Sequence, residues 1–443
     1  MAFVLLTSTS WWASPAHMAV AIAEAGCDVA AIFPARGSPL AETTAVTRRF
    51  VYRPFQPLES LLEAVSQTRP EMIVPCDDRA VTHLHQLHAA ATEMGEAGIW
   101  IKNLIEKSIG PPESFAVASS RFRLWQVAKA ENVLVPEMKL LASLTDLDAW
   151  RRDRPLPWIL KADGSWGGHG VTIVNTPEQA ARAYRKMRRP VSALATLKRV
   201  VVNRDWFSRE SWRANQRAAI SVQDLIEGRP ANCVAFCKHG HIISLIAVEV
   251  VAAQSITGPS TVVRVIRNDQ MRMAASRIAA RLNLSGFYGF DFMLEERTGD
   301  AFLIEMNPRS ALPCHLRLGD GQDLIGALAS EVDSQLAGIP ADFASARAFA
   351  YFPQAWHTKV PNEVMERVQH DMPRNEPALL KELSRVPWPD RSPLARMLDW
   401  LRNQSFEDRA QESCVFAAAA AHLQDDEFDS PVSGADQLTR CVS

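Results

Sequence analysis

The segment FLIEMNPRSALPCHL, Phe302 to Leu316, ends an apolar run in Glu305, Asn307 and Arg309. Residues two apart on a strand face the same way, so Glu305 and Asn307 offer a carboxylate and an amide oxygen to one point. Asp291, in GFDF, lies on the strand expected to pair with this one across the turn RTGD, and reaches the same point. Two carboxylates and an amide carbonyl are hard oxygen donors. They suit Mg²⁺ held jointly with nucleotide phosphates, where one or two protein carboxylates suffice. Arg309 follows two residues later on the same face, and its planar, permanently charged fork suits a carboxylate or a phosphate.

A second element carries phosphate chemistry. Lys161 closes the strand WIL immediately before GSWGGHG. A glycine hairpin exposes backbone N–H groups that fold over phosphates, while the lysine supplies a point charge. It is not the G-x-x-x-x-G-K-[ST] loop, because no Lys-Ser or Lys-Thr follows the glycines. Taken alone, a plain hairpin turn explains it equally well.

These residues need a scaffold. The first hundred residues alternate strand and helix: FVLLT, then Pro15 to Ala25, then DVAAIF, then Leu58 to Ser66, EMIVPC, and Arg79 to Met94. That rhythm predicts a small parallel α/β domain whose ligands bind beyond the carboxyl ends of the strands. Trp11, Trp12, Asp77 and Asp78 fall at such ends, either lining a pocket or simply packing a loop and starting a helix. The first turn, TSTSWWASP, lacks the G-x-G-x-x-G of a dinucleotide site. From about residue 105 the pattern changes to antiparallel strands. A helix runs over Ser119 to Glu131, a strand, glycine turn and strand over Trp158 to Val174, and strands over Ala219 to Gly228 and Asn232 to Val251. A helix over Met271 to Leu282 and the GFDFMLE/FLIEMN hairpin complete it. A basic stretch, Arg182 to Arg217, interrupts this region and reads as a solvated helical extension or a docking surface. Beyond Pro340 prolines recur, and QDDEFDSPVSGADQLTRCVS reads as a polar tail.

Composition excludes several classes. The 443 residues are 47% hydrophobic and 22% charged with a formal net charge of -2. That balance gives no reason to expect nucleic acid or a membrane surface. No apolar run spans a bilayer, and MAFVLLTSTSWW reads as a first strand rather than a signal peptide. Seven dispersed cysteines make no disulfide framework. CVAFCKHGH sets Cys233, Cys237, His239 and His241 on one strand face, whereas zinc knuckles use C-x₂-C pairs. His83, His85 and His88 decorate a helix. The expectation is a cytoplasmic enzyme.

Together, and in this order, ILKADGSWGGHGV and GFDFMLEERTGDAFLIEMNPR resemble the ATP-grasp superfamily of carboxylate–amine ligases. The resemblance covers roughly residues 1 to 330. It implies a parallel-sheet domain over 1–105, an ATP-grasp domain of antiparallel sheets over 106–335 with a lid over about 136–226, and a poorly defined C-terminal extension over 336–443. It also implies a site. Arg121 and Lys161 would hold the α- and β-phosphates, and the loop carrying Ser165, Gly167, Gly168 and Gly170 would cover the γ-phosphate. Asp291, Glu305 and Asn307 would ligate Mg²⁺ or Mn²⁺, and Arg309 would steady an acyl phosphate. VQDLIEG resembles the adenine segment, with Gln223, Asp224 and Leu225 beside the base. Gln223 stands where a Glu is common, and Pro230 where a ribose-binding acid is common. ATP, a small carboxylate and an amine are the implied partners, with a homodimer compatible. Competing readings are a carboxylase or carbamoyl-phosphate-type enzyme and a non-catalytic ATP-binding regulator. A thiol mechanism through Cys314, beside His315, is a further alternative.

Overall fold

The computed structural model describes residues 3–163, 170–188, 219–255, 258–319, 321–336, 346–358 and 360–385. Most of the glycine loop, most of the basic stretch and the polar tail lie outside the described residues.

The chain opens with β1 (Phe3–Thr7), α1 (Ser14–Glu24), β2 (Asp28–Pro34), β3 (Val46–Tyr52), α2 (Pro57–Thr68), β4 (Met72–Pro75), α3 (Asp78–Ala90) and α4 (Gly95–Ile109). The four strands form one parallel sheet in the order β3-β2-β1-β4. Successive side chains of a strand point to opposite faces. Val4, Leu6, Val29 and Ala31 therefore enter one core with α1, while Leu5, Ala30 and Ile32 enter another with α2, α3 and α4. Burial on both faces makes such strands continuous apolar runs. The edge strand β3 is different: Thr47, Arg48 and Arg49 are exposed, and no strand is expected there from the residue pattern.

Next come α5 (Pro112–Ala118), α6 (Arg121–Ala130), β5 (Met138–Leu141), α7 (Leu144–Asp153), β6 (Trp158–Ala162), β7 (Val171–Val174), α8 (Pro177–Arg188) and β8 (Ile220–Asp224). Strands β5, β8, β6 and β7, in that order, make a small antiparallel sheet backed by α7 and α8. The larger sheet uses β9 (Gly228–Lys238), β10 (His241–Ala253), β11 (Ser260–Ile266), then α9 (Asp269–Leu282), β12 (Gly286–Glu295), β13 (Ala301–Asn307), α10 (Leu324–Val332), β14 (Ala348–Ala350) and β15 (Gln369–His370). Its order is β13-β12-β9-β10-β11-β14-β15. Val234 and Phe236 of β9 share a core with α1, so this face packs against the first domain. Cys233, Ala235 and Cys237 point the other way, into a core with α9. Both cysteines are therefore core residues, and the β9–β10 turn falls at His239 and Gly240.

The first domain is locked onto the large sheet at two places. Helix α4 runs through residue 105, where the sequence pattern changes, and ends against β12. Gly286, at φ 83°, lets β12 begin there, since a Cβ would lie 1.9 Å from the Ser108 carbonyl oxygen. Tyr288 donates to the Ile109 carbonyl at 2.6 Å. The second lock follows β13: Ser310 donates its N–H to the Pro75 carbonyl at 3.0 Å, joining the exit of β13 to the carboxyl end of β4.

Candidate active site

The end of β13 carries the functional side chains because of its register. Asp291 on β12 sits opposite Glu305, and Gly289 opposite Asn307, with a register shift just beyond Asp291. Bulges of this kind re-aim side chains and recur beside active sites. Across β12 on its other side, Asn232 of β9 is the register partner of Asp291. Asn232 Nδ2 donates to Asp291 Oδ1 at 2.5 Å and Asn307 Nδ2 donates to Oδ2 at 3.0 Å. With its N–H occupied in this way, Asn307 keeps its amide oxygen for another partner. Burial, followed by the charge of Glu305, pushes the Asp291 carboxyl up to about 6 despite these donors. Two carboxylates crowded together, Glu305 being part-exposed, favour a cation between them.

Three cations converge on the pair. Arg121, the first residue of α6, places Nη2 2.8 Å from Glu305 Oε1 and donates from Nη1 to the Ala162 carbonyl at 2.9 Å. A guanidinium in a first helical turn works against the helix dipole, so local helix stability does not explain it. Ser120 caps that helix and donates to Asp163 at 3.2 Å. Lys161 is 3% exposed. Trp158 and Leu160 enter the core behind the small sheet, which turns Lys161 to the opposite face, towards Arg121 and Glu305. Burial lowers its pKa to about 8, although Glu305, Asp291 and Asp163 pull it upward. Arg309 completes the set, its Nε 2.9 Å from Asp78 Oδ1.

A narrow hollow lies beside Arg121, between the small sheet and β13. Trp125, Pro136, Met138, Leu303 and Gln223 help to line it, and its volume is about 10 Å³. Gln223 is 1% exposed, and neither its amide nitrogen nor its amide oxygen has a hydrogen-bond partner among the described residues. A buried amide left unsatisfied at both ends costs several kcal/mol in a closed core, about 1–3 kcal/mol for each group. Such a group marks a place prepared for a polar ligand.

A wider cavity, about 230 Å³, opens at the carboxyl ends of β1, β2 and β3. Trp11, Pro34, Arg36, Tyr52, Pro54 and Arg79 line it. Trp11 thus lines a pocket, one of the two readings its sequence position left open, whereas Trp12 is 43% exposed and lies outside that lining. Asp77 caps α3, accepting from Ala80 N–H at 2.9 Å and from Thr9 N–H at 2.6 Å.

Residues 118–311 match the family described as the ATP-grasp domain. The middle of this chain is an ATP-grasp domain. Its fold is similar to the biotin carboxylase domain of 2-oxoglutarate carboxylase from Hydrogenobacter thermophilus, in a complex with MgADP and bicarbonate. That likeness has 16% identity and a TM-score of 0.51, covering 77% of this chain and 71% of that one. Biotin carboxylase from Campylobacter jejuni gives 14% identity and a TM-score of 0.52 over 76% and 72% of the two chains. N5-carboxyaminoimidazole synthetase from Staphylococcus aureus, complexed with ADP, gives 13% and 0.52 over 76% and 78%. No curated protein matches the chain.

Within the ATP-grasp domain, Asp291, Glu305, Asn307, Arg121 and Lys161 meet at one place, and Gln223 opens onto the adjoining hollow. Gly170 accepts from the Ala162 N–H at 2.9 Å, so the two ends of the glycine loop lie side by side. Ser165, Gly167 and Gly168 fall outside the described residues. The carboxylate of Asp224 is held by Arg154 at 2.5 Å, and Leu225 sits half-buried on the link from β8 to β9. Cys314 is fully buried, and burial pushes its thiol up to about 12, far from a nucleophile's range. Asn232 escaped the sequence reading. Its signal is a lone amide opening the apolar run NCVAFC, and its meaning depends on the register that sets it beside Asp291.

Proposed function

We propose that the chain is an ATP-dependent ligase that activates a carboxylate as an acyl phosphate for attack by an amine. The observation that carries this reading is the Asp291–Glu305 pair flanked by Lys161, Arg121 and Arg309. The donor set fits Mg²⁺ or Mn²⁺. Asp291 is raised in pKa as a carboxylate short of a counter-charge would be, and Glu305 and Asn307 present the further oxygens. When bound, the ion shields phosphate charge and polarises the phosphoryl oxygen.

Asp291, Glu305 and Asn307 would hold that ion. Gln223 would satisfy its amide on the adenine edge, its oxygen accepting from the exocyclic amine. Adenine is far larger than the hollow, so β8 and β13 must draw apart to admit it, as a lid does. Lys161 and Arg121 would neutralise the phosphates and let two anions approach. Arg309, fixed by Asp78 at the mouth of the first domain, would hold the acyl phosphate and the oxyanion formed on amine attack. The loop over Ser165, Gly167 and Gly168 would exclude water, since acyl phosphates hydrolyse. ADP and phosphate leave, and an amide is formed.

A carboxylase using bicarbonate is the second reading, because the fold is shared with biotin carboxylases. The 230 Å³ cavity with Trp11 and Tyr52 in its wall supports a larger organic substrate instead. Release of ADP and phosphate is the test, measured against panels of acids and amines and against bicarbonate, with hydroxylamine to trap the acyl group. Acid-dependent hydroxamate supports ligation. Dependence on bicarbonate alone favours the carboxylase, and ATP binding without turnover overturns both.

A further inference from the structure

Away from the ATP-grasp site, three segments distant in sequence bring His17, His315 and Asp371 together. His17 lies in the first turns of α1, His315 in the turn that follows Arg309, and Asp371 immediately after β15. One donor atom from each falls within 4.8 Å of the other two. The imidazole rings of His17 and His315 lie 5.0 Å apart, and His315 Nε2 is 3.0 Å from Asp371 Oδ2. All three side chains are buried or nearly so.

We propose that His17, His315 and Asp371 form a structural site for a divalent transition metal such as Zn²⁺. Two imidazoles and a carboxylate are the ligand types that this class of ion takes. The surroundings support it. His17 Nε2 pairs with the Phe352 carbonyl at 2.9 Å, the outer contact that fixes a ligating imidazole and leaves its other nitrogen for the metal. Two further buried atoms, His315 Nδ1 and Tyr351 Oη, have no hydrogen-bond partner among the described residues, and the two rings lie 6.4 Å apart. The cluster therefore has polar capacity that its own residues do not use, and the Tyr351 hydroxyl is free to orient a metal-bound water as fourth ligand. Bonds of about 2.0–2.1 Å set tetrahedral donors roughly 3.3 Å apart, so binding draws the widest pair inward by no more than about 1.5 Å.

The site would clamp the segment around β14 and β15 to α1 and to the turn that carries Arg309. Cobalt titration of the full-length, metal-stripped chain tests it. The expected result is one tight equivalent of Co²⁺, with visible d–d bands of low-symmetry coordination, displaced by Zn²⁺ and accompanied by a rise in Tm. Glu305→Gln should keep these bands, because an all-oxygen magnesium site does not produce them. His17→Ala and Asp371→Asn should lose both the bands and the Tm rise. Absence of tight Co²⁺ or Zn²⁺ uptake by the wild-type chain overturns the proposal, whether or not the variants fold. Uptake that survives both substitutions also overturns it. Neither outcome touches the ATP-dependent reaction, which is read separately by ADP release.

Discussion

Asp291 should make the metal-free chain lose stability as pH rises, opposite to an aspartate held in a salt bridge. Its carboxyl titrates at about 6 when folded, up from 3.8, because burial and Glu305 resist ionisation. Between about pH 4 and 6 the folded chain keeps a proton that the unfolded chain has released. Stability therefore falls through that window, and the loss is complete above the folded value. At about 1.4 kcal/mol per pKa step the full loss is about 3 kcal/mol, of which about 1.4 kcal/mol accrues between pH 5 and 7.5. Asp291→Asn removes the charge. It also loses one of the two donors, Asn232 or Asn307, because an amide has a single oxygen; that costs about 1–3 kcal/mol. The mutant's stability near neutral pH should thus stay close to wild type while its pH dependence flattens. Urea unfolding in EDTA across pH 5 to 7.5 isolates the effect as the difference between the two slopes. Mg²⁺ with ADP should recover the wild-type loss and leave the mutant almost unchanged. Equal slopes in the two chains would refute the account of Asp291 as a carboxylate short of a cation.

Glu305→Gln should abolish Mg²⁺-dependent ADP release, by at least about 10²-fold in kcat; near wild-type turnover would remove Glu305 from the metal. Lys161→Met should cut turnover comparably while stabilising the nucleotide-free chain by up to about 3 kcal/mol. Its ammonium has a folded pKa of about 8, below the ordinary 10.5, so the wild-type penalty is full below pH 8 and fades above it; a Tm that falls at pH 7 contradicts this. Gln223→Leu should raise Tm and weaken ATP binding about tenfold or more, with less effect on inorganic triphosphate. Isothermal titration separates those two ligands, and equal losses for both would take Gln223 away from the base. Arg309→Ala should lower turnover by about 10²–10³ with little change in nucleotide affinity; a matching loss of ADP affinity would place it on the nucleotide instead.

What the sequence discloses depends on how local the cause is. β1, β2 and β4 were legible because burial on both faces writes an apolar run, and β6, β9, β12 and β13 because polar residues punctuate theirs. β3 was hidden by its exposed arginines, and β14, with three residues, has too few positions for a pattern. At the site, Glu305 and Asn307 were legible from a spacing of two, and Asp291 from a hairpin with a short turn. Asn232 was not, since its partner lies across a strand whose register is fixed by distant packing. The Arg309–Asp78 pair joins residues 231 apart in sequence. No local pattern records such a pair. The same holds for His17, His315 and Asp371, each unremarkable in its own segment.

The arrangement of charge around Glu305 explains how such a site can exist before nucleotide arrives. Asp291 and the part-exposed Glu305 repel each other, and Lys161 alone does not offset both, since burial disfavours its own ammonium. Arg121 supplies the missing cation at 2.8 Å from Glu305. Its place at the start of α6, against the helix dipole, is poor for the helix and useful for the site. On the proposed function its guanidinium is a counter-charge that must change partners. When phosphate and metal enter, Glu305 gains the ion and Arg121 gains a phosphate oxygen, so neither charge is left buried and unpaired. A charge-neutral exchange of this kind keeps the empty site folded without making the bound state wait for a desolvated pair to break. It also requires Arg121 and Glu305 to act as a unit. Their double substitution should therefore cost less in nucleotide affinity than the sum of the single losses, and strict additivity in that cycle would show that the two never exchange partners.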